Sequence, residues 1–134
     1  MIIVLDTNVL VSGLLKGNSN PGIIMQQVVT DKLITAYDFR IINEYREVLS
    51  RPRFQFRQQN VDAILKVIEA EGVLIQPQPL GLALEDPGDL PFIEVAAAYK
   101  GALLVTGNQK HFKGCEAIGV KLITPAELVS RLMS

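Results

Sequence analysis

Residues 1–8 read Met1-Ile2-Ile3-Val4-Leu5-Asp6-Thr7-Asn8. Five apolar residues without polar alternation, several of them β-branched, predict a strand buried on both faces of a parallel sheet. The run stops at a carboxylate, and a helical pattern follows over about 9–15. Ligands of open α/β sheets collect beyond the carboxyl ends of the strands. Asp6 therefore stands where a ligand crevice is expected, and it is the first candidate functional residue.

The same alternation continues outward. Asn18-Ser19-Asn20-Pro21-Gly22 suits a loop that starts a helix over about 22–31. Leu33-Ile34-Thr35-Ala36-Tyr37 predicts a second strand, and Asp38 a cap for a helix through about Ser50. Arg51-Pro52 breaks that helix. Val61, Ile64, Leu65 and Ile68 keep helical spacing to Ala70, with Gly72 as the stop. Val73-Leu74-Ile75 predicts a third strand, and Pro77, Pro79 and Gly81 mark a loop. A helix is expected over 89–100 with Phe92, Ile93, Ala96, Ala97 and Tyr99 inward, then strands over 103–106 and 121–123. Thr124-Pro125-Ala126-Glu127 is a capping box for a terminal helix. Strand and helix in turn predict βαβ units: an α/β fold, a three-layer α/β/α sandwich around a mostly parallel sheet of about five strands. One domain over 1–134 is expected.

A formal net charge of −1 excludes a protein that coats nucleic acid by bulk charge, though not one that grips it with a local basic stripe. Cys115 is the only cysteine, so no internal disulfide and no cysteine zinc site can form. No window approaches the about 18 apolar residues of a membrane span. A soluble, cytoplasmic protein is the expectation.

Charge is unevenly placed. Between Lys66 and Lys100 there is no Lys or Arg, yet that interval holds Glu69, Glu71, Glu85, Asp86, Asp89 and Glu94. Taken alone, Asp89 reads as the N-cap of its helix, and Asp86 as a turn residue. Glu44 alone reads as a solvated glutamate paired with Arg40 at i−4. Thr106-Gly107-Asn108 ends its strand as Asp6 ends the first, so Asn108 is expected to face the same crevice. Together, Asp6, Glu44, Asp89 and Asn108 form an oxygen-only donor set that favours Mg²⁺ or Mn²⁺ over zinc. Such ions serve phosphate chemistry. Arg40, Arg46, Arg51, Arg53 and Arg57, interleaved with Tyr45, Phe54 and Phe56, are candidate contacts to RNA, because guanidinium matches phosphate and aromatic faces stack on unpaired bases. An ordinary solvated surface is the alternative. His111, the only histidine, is expected to be an exposed structural residue, and Cys115 a packing residue.

Four motifs in order resemble the PIN-domain family, and within it the VapC-like toxin branch. They are Leu5-Asp6-Thr7-Asn8-Val9-Leu10, Asn43-Glu44-Tyr45-Arg46-Glu47-Val48-Leu49, Asp86-Pro87-Gly88-Asp89-Leu90-Pro91-Phe92 and Leu104-Val105-Thr106-Gly107-Asn108. Ile123-Thr124-Pro125-Ala126-Glu127 is similar to the branch's usual ending. The resemblance covers essentially the whole chain. It implies a Mg²⁺- or Mn²⁺-dependent endoribonuclease acting on single-stranded RNA, with metal ligands or catalytic acids at Asp6, Glu44 and Asp89. It also implies a cognate antitoxin and a homodimer or higher homo-oligomer.

Thr7, Asn8, Asp86 and Thr106 are expected to support these carboxylates from behind. The family usually has an aspartate where this chain has Asn108, so the site carries three carboxylates rather than four. Weaker metal binding with retained activity is the expectation, and a binding module that has lost catalysis is the alternative. A phosphoacceptor domain would want an acidic pair near its N-terminus, and Asp6 has no acidic neighbour before Asp31. A Rossmann-type nucleotide binder would want a glycine-rich first turn, which Asp6-Thr7-Asn8-Val9 does not supply.

Overall fold

The computed structural model describes residues 1–112 and 114–134. Among them the strands are β1 (Ile2–Leu5), β2 (Ile34–Tyr37), β3 (Val73–Leu74), β4 (Leu103–Val105) and β5 (Lys121–Ile123). The α-helices are α1 (Thr7–Leu15), α2 (Asn20–Val29), α3 (Phe39–Leu49), α4 (Gln58–Glu71), α5 (Leu90–Ala98) and α6 (Pro125–Leu132). Every strand pair is parallel, and the sheet order is β3-β2-β1-β4-β5. With the right-handed crossovers that parallel strands favour, this order requires the β1–β2 and β2–β3 connections on one face and the β3–β4 connection, which carries α5, on the other. The expected α/β fold is the observed one.

β1 lies at the centre, with Ile3, Val4 and Leu5 fully buried. Its neighbours are β2 and β4, in the register Ile3–Leu103, Val4–Leu104 and Leu5–Val105 on the β4 side. All five strands run the same way, so their carboxyl ends form one edge. Asp6 and Thr106 follow directly at that edge, and the Asp6 N–H donates to the Val105 carbonyl at 3.0 Å.

Local chemistry sets most boundaries. Ser19 caps α2 by accepting from the Gly22 N–H, and Asp38 caps α3 by accepting from the Ile41 N–H. Thr124 and Glu127 form the expected reciprocal capping box of α6. Several boundaries differ from expectation: α2 covers Asn20–Val29 rather than about 22–31, β3 stops at Leu74 and β4 at Val105. The first helix starts at Thr7, directly after Asp6, because the Asp6 carbonyl already accepts from Val9 and Leu10. The helix expected over 89–100 is shorter, covering Leu90–Ala98. A turn closed by the Ala102 N–H on the Tyr99 carbonyl ends it, with Gly101 at φ +90°. Ala97 and Tyr99 are only half-buried, whereas Glu94 is buried among the apolar residues of α5.

Gly72 is needed for close approach rather than for a special φ. A Cβ there would stand 2.3 Å from the Ile68 carbonyl oxygen and 2.7 Å from that of Thr35. The end of α4 therefore presses directly onto β2. The Thr35 hydroxyl beneath it is buried with no hydrogen-bond partner. An unpartnered buried hydroxyl is destabilising, so Thr35→Val is expected to raise the unfolding free energy by about 1 kcal/mol. Gly72→Ala is expected to lower it by about 1–3 kcal/mol through backbone overlap. Urea unfolding of the two variants beside the wild type checks both signs.

Candidate active site

Asp6 projects from the end of β1 and is 8% exposed. Its Oδ2 accepts from the Thr106 hydroxyl at 2.7 Å. That hydroxyl oxygen in turn accepts from the Asn108 N–H at 3.1 Å. Burial pushes the Asp6 carboxyl above its ordinary value, against the Thr106 hydroxyl, the main-chain N–H groups of Asn8 and Thr7 and the nearby His111.

Glu44 is half-buried on α3, and its Oε2 accepts from the Thr7 hydroxyl. α3 is tied to β1 next door. The fully buried Tyr45 donates its hydroxyl to the Leu5 carbonyl, the last of β1. Adjacent residues of one helix, Glu44 and Tyr45, thus contact Thr7 and Leu5 on either side of Asp6. Burial raises the Glu44 carboxyl, and the charges of Asp6 and Asp86 add to the rise against the Thr7 hydroxyl. The expected pairing of Glu44 with Arg40 is not made: Arg40 bonds Asp38 and Glu94, both at 2.7 Å.

Asp89 corrects the capping expectation. The chain forms a single 3-10 turn over Pro87–Asp89 before α5, and Asp86 caps it by accepting from the Gly88 N–H at 2.9 Å. Asp89 makes no side-chain cap bond. Its carboxylate is left over, with pKa raised to about 6 by burial first and then by Asp86 and Asp6. Glu44 adds to this repulsion, and His111 opposes it. A Cβ on Gly88 would lie 3.7 Å from Glu44 Oε1, which places the 86–89 turn against α3.

Asn108 is exposed, and its main-chain N–H, not its amide, makes the bond to Thr106. Asn8 is likewise exposed and acts on Asp6 through its main-chain N–H. His111, expected to be a bystander, places Nδ1 3.8 Å from Asp89 Oδ2. Its position three residues after Asn108, one turn onward, was the available signal. Cys115 is buried as expected.

The basic segment is largely engaged within the protein. Arg46 pairs with Glu69 at 3.2 Å and Arg51 with Glu47 at 3.0 Å. Arg53 lies over the Phe54 ring at 4.7 Å, and Phe54 stacks on Phe56 at 5.7 Å, both half-buried. Arg57 is exposed at the start of α4. Arg40 belongs to a part-buried network not foreseen from sequence. Glu94 Oε1 accepts from Arg40, and its Oε2 accepts from the Leu80 N–H at 2.8 Å. Burial works against that charge, but the Leu80 N–H and Arg40 prevail and hold the Glu94 carboxyl below its ordinary value.

The donor set suits a hard divalent cation. Asp6, Glu44 and Asp89 offer oxygen only; burial makes each harder to ionise than usual, Asp6 adds to the rise at Glu44, and both Asp6 and Glu44 add to the rise at Asp89. Among the described residues, no three His, Cys, Asp or Glu side chains converge tightly enough to enclose a metal ion as they stand.

A PIN-domain family model matches residues 2–110, which span β1 to the turn after β4. The chain belongs to the PIN-domain family. PIN domains have a nuclease-like fold, are generally hydrolases of nucleic acid, typically use divalent metal ions and, as nucleases, bind RNA. This PIN domain is also 29% identical over 139 residues to Uncharacterized protein MJ1680 of Methanocaldococcus jannaschii, a match covering 95% of this chain and 88% of that protein. No helix among the described residues is long and apolar enough to cross a membrane.

The raised Asp89 carboxyl has a consequence for stability. Below pH 3.8 the group is protonated in folded and unfolded chains alike and costs nothing. Between pH 3.8 and about 6 the unfolded chain releases a proton that the folded chain retains, so this group's contribution falls as pH rises and then levels off. In metal-free buffer, Asp89→Asn is therefore expected to gain stability relative to wild type over that interval. Thermal melts of both proteins from pH 4 to pH 7 measure the gap, which is expected to widen with pH.

Proposed function

We propose that this PIN domain is a Mg²⁺- or Mn²⁺-dependent endoribonuclease that hydrolyses phosphodiester bonds of single-stranded RNA. The observation that carries the reading is the uncapped Asp89. A protein that only needed a helix start could have used it as the cap. Instead Asp86 caps, and a half-buried carboxylate is kept beside Asp6 and Glu44 despite mutual repulsion. Such an arrangement is stabilised by a ligand of opposite charge.

In this reading Asp6, Glu44 and Asp89 hold the ion. The chemistry such an ion would supply there is polarisation of the phosphodiester and activation of a water near neutral pH. Thr106 fixes one oxygen of Asp6, and Thr7 fixes one oxygen of Glu44, so both carboxylates are held in a set orientation. Asp86 holds the turn that presents Asp89. Asn108 contributes at most an amide oxygen, which lowers the site's negative charge relative to the usual fourth aspartate.

The role of toxin in a toxin–antitoxin pair, with a cognate antitoxin and a second copy as partners, follows the likeness of the motif order to the VapC-like branch. A cytoplasmic place of action goes with it. A second reading, a weakened PIN module that binds RNA or a partner without cutting, is favoured by the exposed side chain of Asn108.

Wild type is expected to cleave a single-stranded RNA when Mn²⁺ is added, and Asp6→Asn to lose about 100-fold or more of that rate, the scale of removing a key electrostatic group. Equal rates in the two proteins would sink the nuclease reading. Asn108→Asp is expected to tighten Mn²⁺ binding about tenfold, read by calorimetry. No tightening would place Asn108 outside the metal site.

A further inference from the structure

Resting on the nuclease reading above, we infer that Lys110 and His111 form the phosphate grip for the RNA strand, in a cavity that they share with Asp86 and Asp89. A cavity of about 370 Å³ opens between the segment at 83–86 and the turn after β4. Glu85, Asp86 and Asp89 line it together with Lys110 and His111. It adjoins the site itself, since His111 Nδ1 lies 3.8 Å from Asp89.

A polyanion cannot enter a crevice lined only by carboxylates. An ion between Asp6, Glu44 and Asp89 compensates one phosphate at most, and the neighbouring phosphates need positive charge from the protein. The arginine segment supplies little near this point. Arg40, Arg46 and Arg51 are each committed to carboxylates of the protein, and Arg53 lies against Phe54. Lys110 forms no ion pair among the described residues, and it lines the cavity directly. An ammonium group is a compact phosphate partner, and an imidazole N–H donates to a phosphate oxygen in either charge state.

The turn that carries the pair is held in place. Residues Gln109–Phe112 form one 3-10 turn, closed by the His111 N–H on the Asn108 carbonyl at 3.1 Å. Phe112 is 1% exposed and anchors the turn in the core. At its other end Asn108 bonds Thr106, the residue that also holds Asp6. The grip and the acids therefore share a single hydroxyl as their reference point. A strand of RNA held at Lys110 and His111 is registered against Asp6 through Thr106.

The test measures binding of a fluorescein-labelled single-stranded oligoribonucleotide by anisotropy across a salt series, with Mn²⁺ binding followed separately by calorimetry. Lys110→Ala and His111→Ala are each expected to weaken RNA binding severalfold, and the double variant about tenfold or more. The double variant is also expected to flatten the slope of log affinity against log salt by about 0.7 for each lost phosphate contact. Mn²⁺ affinity is expected to change little in Lys110→Ala. Arg57→Ala serves as comparison and is expected to weaken RNA binding less than Lys110→Ala. RNA affinity and salt slope unchanged in the double variant, or a larger loss in Arg57→Ala, would overturn the grip while leaving the nuclease reading standing. A wild type that binds neither Mn²⁺ nor RNA would overturn both.

Discussion

The hydroxyl of Thr106 joins two strand ends that lie 100 residues apart in the chain. It donates to Asp6 at the end of β1 and accepts from the main chain of Asn108 after β4. This bond exists only because β1 and β4 pair in one register, Leu5 beside Val105. A slip by one residue would turn Asp6 or Thr106 to the other face of the sheet. The apolar side chains of Ile3, Val4, Leu5, Leu104 and Val105, all fully buried, hold that register. The site thus depends on core packing before it depends on any polar contact.

Around this bond the protein arranges opposed demands. Asp6, Glu44 and Asp89 are drawn together by three separate elements, each stabilised for its own reasons. β1 is held by its neighbours, α3 by the Asp38 cap and the Tyr45 hydroxyl, and the 86–89 turn by Asp86. Their carboxylates then repel, and burial makes each harder to ionise. That tension is the kind of local cost that functional sites carry and the rest of the fold supports. The Arg40 network illustrates the support. It spans Asp38 at the start of α3, Glu94 on α5 and the main chain at Leu80, and so links both acidic elements to the segment that crosses between them.

Much of this was legible before any tertiary contact. The alternation of apolar runs and helical spacing pointed to the five parallel strands, and Ser19, Asp38 and the Thr124–Glu127 pair marked their helices' starts. Asp6 was readable as a strand-end acid. Asp89 was visible as a residue but not in its state. Two acids three residues apart could each cap a helix start, and the choice between them rests on which N–H groups the turn presents. Glu44 paired on paper with Arg40, one turn away. A buried competitor from α5, Glu94, takes that arginine instead, and helical spacing carries no information about such a partner. His111 looked solitary for the same reason, since its neighbour Asp89 is distant in sequence.

The sequence by itself determined the elements, most of their caps and the acids that end strands, because these depend on residues within a turn or two of one another. Tertiary structure decided the order β3-β2-β1-β4-β5, the neighbours of Asp89, the engagement of Arg40 and Arg46 and the place of Lys110 and His111 beside the acids. Each of those follows from which segments pack together, and competition between distant partners for the same charge is settled only when both are brought into the same crevice.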